Sequence, residues 1–595
     1  MDLSQSLVSV ITKPTFVFVQ LEPPQSSLTT STAPLPSWGS SPINPKNRIN
    51  SLDITRSHWR VDGATMCGRQ FYVVPTYLLP NLVPLRVDVF IPDQEQHPPE
   101  LREALQSSFS ACMRHARLGQ LGISRHLCRA LDHHCAENPR FWHDYQTLPF
   151  GSKLIFENIA ADIKAMTLTV EPAHDLERQL LSVPSLQKLW GGDVPIHSWP
   201  RVVDLNRLKL KQQLHDTISV INMVTESGGL STCDFVFKSS TVGPKFLYCE
   251  LKFLLTNSHH VNIMGAPLYI VTKKCNFGGK HGVCGFILPY YPLGSIRDIL
   301  PVRTFAGTLT FRQQINWSRQ IVSALIHIRE VAGTFYSDLR PDNVLLSRSE
   351  LNGPENLVLC DFEQRGNWHE WCPPEILYQM YAANLCAHPS PAAQSQLPQD
   401  LVNKRHNSNL SGNPLDRGTF NTYPLGSNPE WCSLSWDAQE KAQVYSLGLL
   451  LYCIFEGMSN VRVSIANAWP CEPDVEFPQF KRTPPSMQYC IRRCTIDAPD
   501  WALKEKRSEE GGMPWRRPGR VTRMDGKLYP AGHINANEDN KPVAEAVLET
   551  AKSWWKSEIG MAKRFFESAP WRDGNTGRER PTLREVLAML DELYE

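Results

Sequence analysis

Apolar residues recur along this chain at two spacings, and the change from one to the other marks out its elements. Val87, Val89 and Ile91 alternate with Asp88 and Phe90, the period of a strand. Phe235-Val236-Phe237-Lys238 is a short apolar run ending on a cation, and Val283 to Tyr291 is a longer one; both predict strands. Gly278-Gly279-Lys280-His281-Gly282 comes just before the second and predicts a hairpin turn. Elsewhere the period is helical. Leu247, Leu251, Leu254 and Leu255 share one face, with Glu250 beside the stripe. Trp317, Ile321, Leu325 and Ile328 space a second helix, and Leu583, Val586, Leu587 and Leu590 a third. Val444 to Tyr452 is apolar nearly all round, the pattern of a fully buried helix. Leu101 to Cys135, without Pro or clustered Gly, predicts another helix. Val344-Leu345-Leu346 and Leu357-Val358-Leu359 predict two strands joined by a loop with Asn352-Gly353-Pro354. Strands and helices thus both recur along the chain, and a mixed α+β protein is expected.

Composition adds boundaries. A chain of 595 residues exceeds one hydrophobic core, so several domains are expected. Residues 1–60, rich in Ser, Thr and Pro, read as a disordered tail, and residues 65–200 as an ordered extension of mixed helix and strand. His388 to Asn428 reads as a Pro/Ser/Asn-rich loop insertion. A net charge of +1 gives no bulk attraction to nucleic acid or an acidic membrane. The most apolar run, Leu447 to Phe455, is well short of the ~20 residues of a membrane span. Sixteen scattered Cys and no leader-like N-terminus predict an intracellular protein, cytoplasmic or nuclear. Cys112, His115, His126, Cys128, His133, His134 and Cys135 are metal-capable, but their spacing matches no zinc template and favours ordinary helix positions.

The candidate chemistry concentrates in Tyr336-Ser337-Asp338-Leu339-Arg340-Pro341-Asp342-Asn343 and, after the two short strands, in Asp361-Phe362-Glu363. Asp338 is placed to face an attacking hydroxyl. Asn343 and Asp361 supply hard oxygen donors of the kind Mg²⁺ takes. Arg340 is a cation within reach of a transferred phosphate. Taken alone, an Asp-x-x-x-x-Asn spacing also fits a turn before a strand.

In combination these motifs resemble the eukaryotic protein kinase superfamily, in particular the divergent kinase-like domains common in filamentous fungi. The resemblance covers residues 203–595. It implies a bilobal fold with a small β-rich lobe over residues 203–300 and a larger helical lobe over 301–595, preceded by the N-terminal extension. It also implies ATP and Mg²⁺ as cofactors and a protein substrate bearing Ser or Thr, without identifying that substrate. Asp338 takes the place of the catalytic base, Lys238 that of the residue holding the nucleotide phosphates, and Glu250 that of its partner. Asn343 and Asp361 take the places of the metal ligands. Pro373-Pro374-Glu375 resembles the family's A-P-E element, and Arg580 the late Arg that pairs with that Glu.

Four positions depart from the pattern. Leu214-His215-Asp216-Thr217-Ile218, where a glycine-rich loop would cover the phosphates, contains no Gly. Glu363 replaces the Gly after Asp361-Phe362. Gln443 stands where the buried helix has an Asp that buttresses the catalytic loop, and Tyr336-Ser337 replace a His-Arg pair. No Ser, Thr or Tyr lies between Phe362 and Pro373, so no activating phosphosite exists there. These departures keep two alternatives open: a partner-binding pseudokinase, and a small-molecule kinase of the aminoglycoside or choline type, which lacks the Glu375–Arg580 pair.

Overall fold

The computed structural model describes residues 10–20, 38–41, 43–44, 47, 57–65, 69–76, 86–91, 100–101, 104, 122–224, 229–276, 278–348, 355–364, 366, 369–399, 401–402, 429–462, 472, 475–508, 521–524, 527–530 and 544–594. The protein is α+β, built on two larger sheets and a helical body. Strands β1 (Trp59–Thr65), β2 (Gln70–Pro75) and β3 (Val87–Phe90) run antiparallel. Helices α1 (Gly122–Glu137) and α2 (Phe141–Thr147) follow. Strands β4 (Lys153–Phe156) and β5 (Leu168–Glu171) then complete a five-stranded sheet, with β3 and β4 parallel. Phe71, Val89, Leu127 and Leu131 pack into one core with Trp59, whose ring stacks 5.0 Å from that of Trp142. The strand expected at 87–91 is present. Of the helix expected over 101–135, the described parts are Leu101 and Ala104, both helical and buried, and α1; residues 102–103 and 105–121 lie outside the described residues.

The last strand of this sheet ends at Glu171. Helices α3 (His174–Gln179) and α4 (Val183–Trp190) belong to the next unit. Leu176 and Leu180 pack on one face of the second sheet, Leu186 and Trp190 on the other. That sheet comprises β6 (Arg201–Asp204), β7 (Leu208–Gln213), β8 (Ile218–Met223) and β9 (Phe235–Ser239), then, after helix α5 (Lys245–Thr256), β10 (Tyr269–Lys274) and β11 (His281–Pro289). Its order is β6-β10-β11-β9-β8-β7. The predicted Gly278–Gly282 turn joins β10 and β11, with Gly278 and Gly279 at positive φ.

The helical body begins with α6 (Ile296–Phe305) and α7 (Phe311–Glu330). Thr310 and Gln313 form a capping box at the start of α7, which satisfies two otherwise unpaired N–H groups. A hairpin of β12 (Val344–Arg348) and β13 (Glu355–Leu359) follows, and then α8 (Pro374–Ala387). The central helix α9 (Trp436–Glu456) is buried along almost its whole length, as its all-round apolar pattern predicts. It ends at Gly457, where φ is 72° and a Cβ would meet Thr304 Oγ1 at 2.3 Å, so only Gly fits. Helices α10 (Pro485–Cys494), α11 (Pro499–Ser508), α12 (Ala544–Glu567) and α13 (Leu583–Tyr594) complete the body. Trp317, Ile321, Leu325 and Ile328 are all in its core.

Two stretches set apart by composition contain buried residues. Within residues 1–60, Ile11, Phe16, Trp38, Ile43 and Trp59 are buried. A helical turn at Pro14–Phe18 lies against α8 and α12, where Trp555 Nε1 donates to Ile11 O at 2.7 Å. Average composition hides the apolar run Phe16-Val17-Phe18-Val19 within this polar stretch. In the expected insertion at 388–428, Ala393, Leu397 and Val402 are buried, and residues 403–428 lie outside the described residues.

Candidate functional site

Strand β9, between β11 and β8 in the second sheet, carries Lys238, and Gly285 on β11 lets it sit there. A Cβ at Gly285 would come within 2.3 Å of Lys238 O, so a side chain would force the strands apart. Helix α5 turns Glu250 inward beside Leu251 and Leu254. The β12–β13 hairpin then delivers Asp361 to the same point. Lys238 Nζ lies 2.6 Å from Asp361 Oδ1 and 3.3 Å from Glu363 Oε1, and it is ion-paired with Glu250 Oε2. Three sequence-predicted residues, separated by up to 123 positions, therefore meet at one ammonium group. Glu363, read from the sequence as added negative charge near the metal position, joins them.

The electrostatics follow from sharing one cation. Burial works against the Lys238 charge, yet the carboxylates of Asp361, Glu250 and Glu363 hold its pKa well above the usual lysine value. Each carboxylate receives only part of that compensation. Burial therefore outweighs Lys238 at Glu250 and pushes its pKa up to about 7. Oxygens of Glu250, Asp361 and Glu363 lie within 4.8 Å of one another.

The loop before β12 supplies the second half. Asn343 Nδ2 donates to Asp338 O at 2.9 Å and to Asp338 Oδ2 at 3.0 Å, and Arg340 Nε donates to the same Oδ2 at 3.2 Å. Asp338 Oδ1 has no hydrogen-bond partner among the described residues. Burial, only partly offset by Arg340, pushes Asp338 up to about 6. Arg340 also pairs with Asp342 at 3.2 Å, so it is held by two carboxylates rather than projecting alone. The two halves are locked together. Tyr336 Oη donates to Cys360 O at 2.5 Å, and Phe362 stacks on Phe253 of α5 at 4.2 Å between centroids.

Gln364 is the residue that motif reading missed. Its Oε1 accepts from Ser337 N at 3.0 Å and Ser337 Oγ at 2.6 Å, and its Nε2 donates to Phe335 O. Gln443, expected at the buttress position, is buried with neither amide atom hydrogen-bonded among the described residues. The support of the Asp338 loop thus comes from the Asp361 loop. Asp361 and Gln364 both adopt positive φ, 66° and 54°, which is unusual for side-chain-bearing residues and clusters at functional loops. A sequence signal existed only in hindsight: a Gln where nothing in the motif asks for one.

The second distant pair also meets. Arg580 donates to Glu375 at 2.7 and 2.9 Å, a buried bidentate bridge joined by Asp497. Opposite Asp361, the tip of the β7–β8 hairpin brings His215 within electrostatic reach of Asp361, Arg340 and Asp342.

The donor set suits a small divalent cation. Asp338, Asp361, Glu250 and Glu363 provide four carboxylates against the two cations Lys238 and Arg340, and hard oxygens are what Mg²⁺ takes. Asn343 commits its amide nitrogen to Asp338, so its oxygen is the atom left for a cation. No protein-family model matches the chain, and no curated protein matches it.

Proposed function

We propose that residues 203–595 form a bilobal, protein kinase-like phosphotransferase that moves the γ-phosphoryl group of ATP to a Ser or Thr hydroxyl of a protein. The observation that carries this reading is the convergence of Lys238, Glu250 and Asp361 at one point, with Asp338 and Asn343 on the adjoining loop. Phosphoryl transfer asks a protein mainly for positioning and charge neutralisation. Lys238, its rotamer fixed by Glu250, holds the phosphates. Asp361 and Asn343 would hold Mg²⁺, which when bound neutralises phosphate charge. Asp338 Oδ1 accepts the hydroxyl proton, and its raised pKa near 6 suits a base working close to neutral pH. The hydroxyl oxygen bonds to the γ-phosphorus as the bond to the β-phosphate oxygen breaks, and ADP leaves. No helix among the described residues is long and apolar enough to cross a membrane.

A pseudokinase is the second reading. Glu363 adds a third carboxylate on Lys238, and no Gly lines the hairpin tip. The buried Glu375–Arg580 bridge argues against a small-molecule kinase. The test is the thermal shift of the full chain with ATP and Mg²⁺, beside Asp361→Asn. Ligand at about 100 times its dissociation constant stabilises by roughly 2.7 kcal/mol. A Mg²⁺-dependent rise lost in the variant, followed by phosphate transfer to Ser/Thr peptides, supports the enzyme. A folded chain with no shift at millimolar ATP leaves the pseudokinase.

A further inference from the structure

We propose that the five-stranded N-terminal unit is a brace for the candidate site, with Arg86 as a positioning residue that fixes the hairpin tip over it. The inference rests on the proposed nucleotide site, because the tip faces that site, and it gives residues 57–171 a task that no motif assigns them.

Arg86 lies just before β3 and is almost completely buried. Its guanidinium crosses to the other sheet, where Nη2 donates to Asp216 O at 2.6 Å and Nη1 to His215 O at 3.4 Å. Nη2 also meets Asp216 Oδ1 at 3.2 Å. The group is itself held from behind. Nε pairs with Asp88 Oδ1 at 3.1 Å, and the guanidinium carbon sits 4.7 Å over the Tyr72 ring. Asp88 is fixed in turn by Gln70 Nε2 at 2.9 Å. A second contact steadies the root of the same hairpin. Asp62 Oδ2 accepts from Gln213 N at 2.8 Å, and Arg60, paired with Asp62, donates to Lys211 O at 2.9 Å.

These contacts add to the hydrogen bonds that close the tip itself, Leu214 N to Ile218 O at 2.9 Å and Ile218 N to His215 O at 3.3 Å. A glycine-rich loop reaches its working shape by backbone freedom. Leu214-His215-Asp216-Thr217 has little of that freedom, and the N-terminal unit holds two of its carbonyls from outside. Because the peptides are trans, turning the His215 and Asp216 carbonyls to Arg86 turns the N–H groups of Asp216 and Thr217 the opposite way. His215 is thereby kept within electrostatic reach of Asp361 and Arg340.

The test uses the full chain as wild type, Arg86→Ala, Arg86→Lys and Arg60→Ala. Amide hydrogen exchange of residues 213–218 is followed beside that of 344–359, and ATP·Mg²⁺ affinity is measured by calorimetry. Arg86→Ala is expected to speed exchange at 213–218 and weaken ATP·Mg²⁺ binding, each on the order of tenfold, with 344–359 unchanged. Arg86→Lys, which keeps the charge but not the fork, falls between. Unchanged exchange in Arg86→Ala, or faster exchange with unchanged affinity, overturns the proposal. If wild type binds no ATP·Mg²⁺, the proposed function fails, and exchange at 213–218 alone upholds or overturns the brace. Should Arg86→Ala not fold, Arg60→Ala decides it through exchange at 211–213.

Discussion

Replacing Arg580 by Met isolates the cost of one buried charge. The guanidinium is fully buried and donates to Glu375 at 2.7 and 2.9 Å, to Asp497 at 2.7 Å and to Lys441 O at 2.8 Å, while stacking 4.8 Å over Tyr445. Met fills much of the same volume, so the loss is electrostatic rather than a cavity. Asp497, 40% exposed, returns to water at little cost, but Glu375, 1% exposed, cannot. Breaking a buried pair from one side costs about 3–5 kcal/mol. For a body of this size that lowers the melting temperature by about 5–8 °C. The double variant Glu375→Leu/Arg580→Met removes the stranded charge and should regain at least half, because apolar replacement of both partners is commonly near neutral. Calorimetry of the full chain, with exchange of the α9 amides as local probe, measures both. A loss under about 1 kcal/mol for the single variant, or a double variant no more stable than the single, refutes the reasoning.

Three further outcomes follow from the same geometry. Lys238→Met leaves Glu250 and Glu363 buried without their cation, so it should abolish any ATP·Mg²⁺-dependent shift; a shift of wild-type size in this variant would remove Lys238 from the site. Gln364→Leu strands the Ser337 N–H and the Phe335 carbonyl, at about 1–3 kcal/mol, and should speed exchange at Ser337 while leaving Lys238 in place. Equal exchange in variant and wild type would count against the clamp. His126 is buried, hydrogen-bonded to Ala160 O at 2.8 Å, and held by burial below its ordinary 6.5. The unfolded chain therefore takes up the proton more readily, so this contribution is present above about pH 6.5 and is lost as pH falls through the folded value. His126→Asn should melt closer to its neutral-pH temperature at pH 5 than wild type does, and parallel pH profiles would sink the assignment.

How much of this was legible depended on whether a residue's role is local or shared. Lys238 and Glu250 sit in elements with their own period, and Asp338, Asn343 and Asp361 in loops bounded by such elements, so placing the elements placed the residues. The Glu375–Arg580 bridge was legible from the resemblance alone. Gln364 was not, because its function lies in three hydrogen bonds to a loop almost 30 positions away, and a single Gln carries no period. Arg86 was hidden for the same reason: nothing in Leu85-Arg86-Val87 announces that its partners are the carbonyls of His215 and Asp216. The polar average of residues 1–60 masked Ile11 and Phe16, since composition sums over residues while packing needs only a few of them. Helices α3 and α4 fall inside the extension drawn from the sequence, yet Leu176 and Trp190 pack on the second sheet, a partnership that only burial reveals.

The contact between Ile11 and Trp555 spans 544 residues, which sets a clock during synthesis. The segment around Phe16 leaves the ribosome long before the α12 surface that covers it. At about 5–20 residues per second, the wait is on the order of half a minute to two minutes. Through that interval Ile11 and Phe16 lack the α12 half of their native cover, with only α8 available to them.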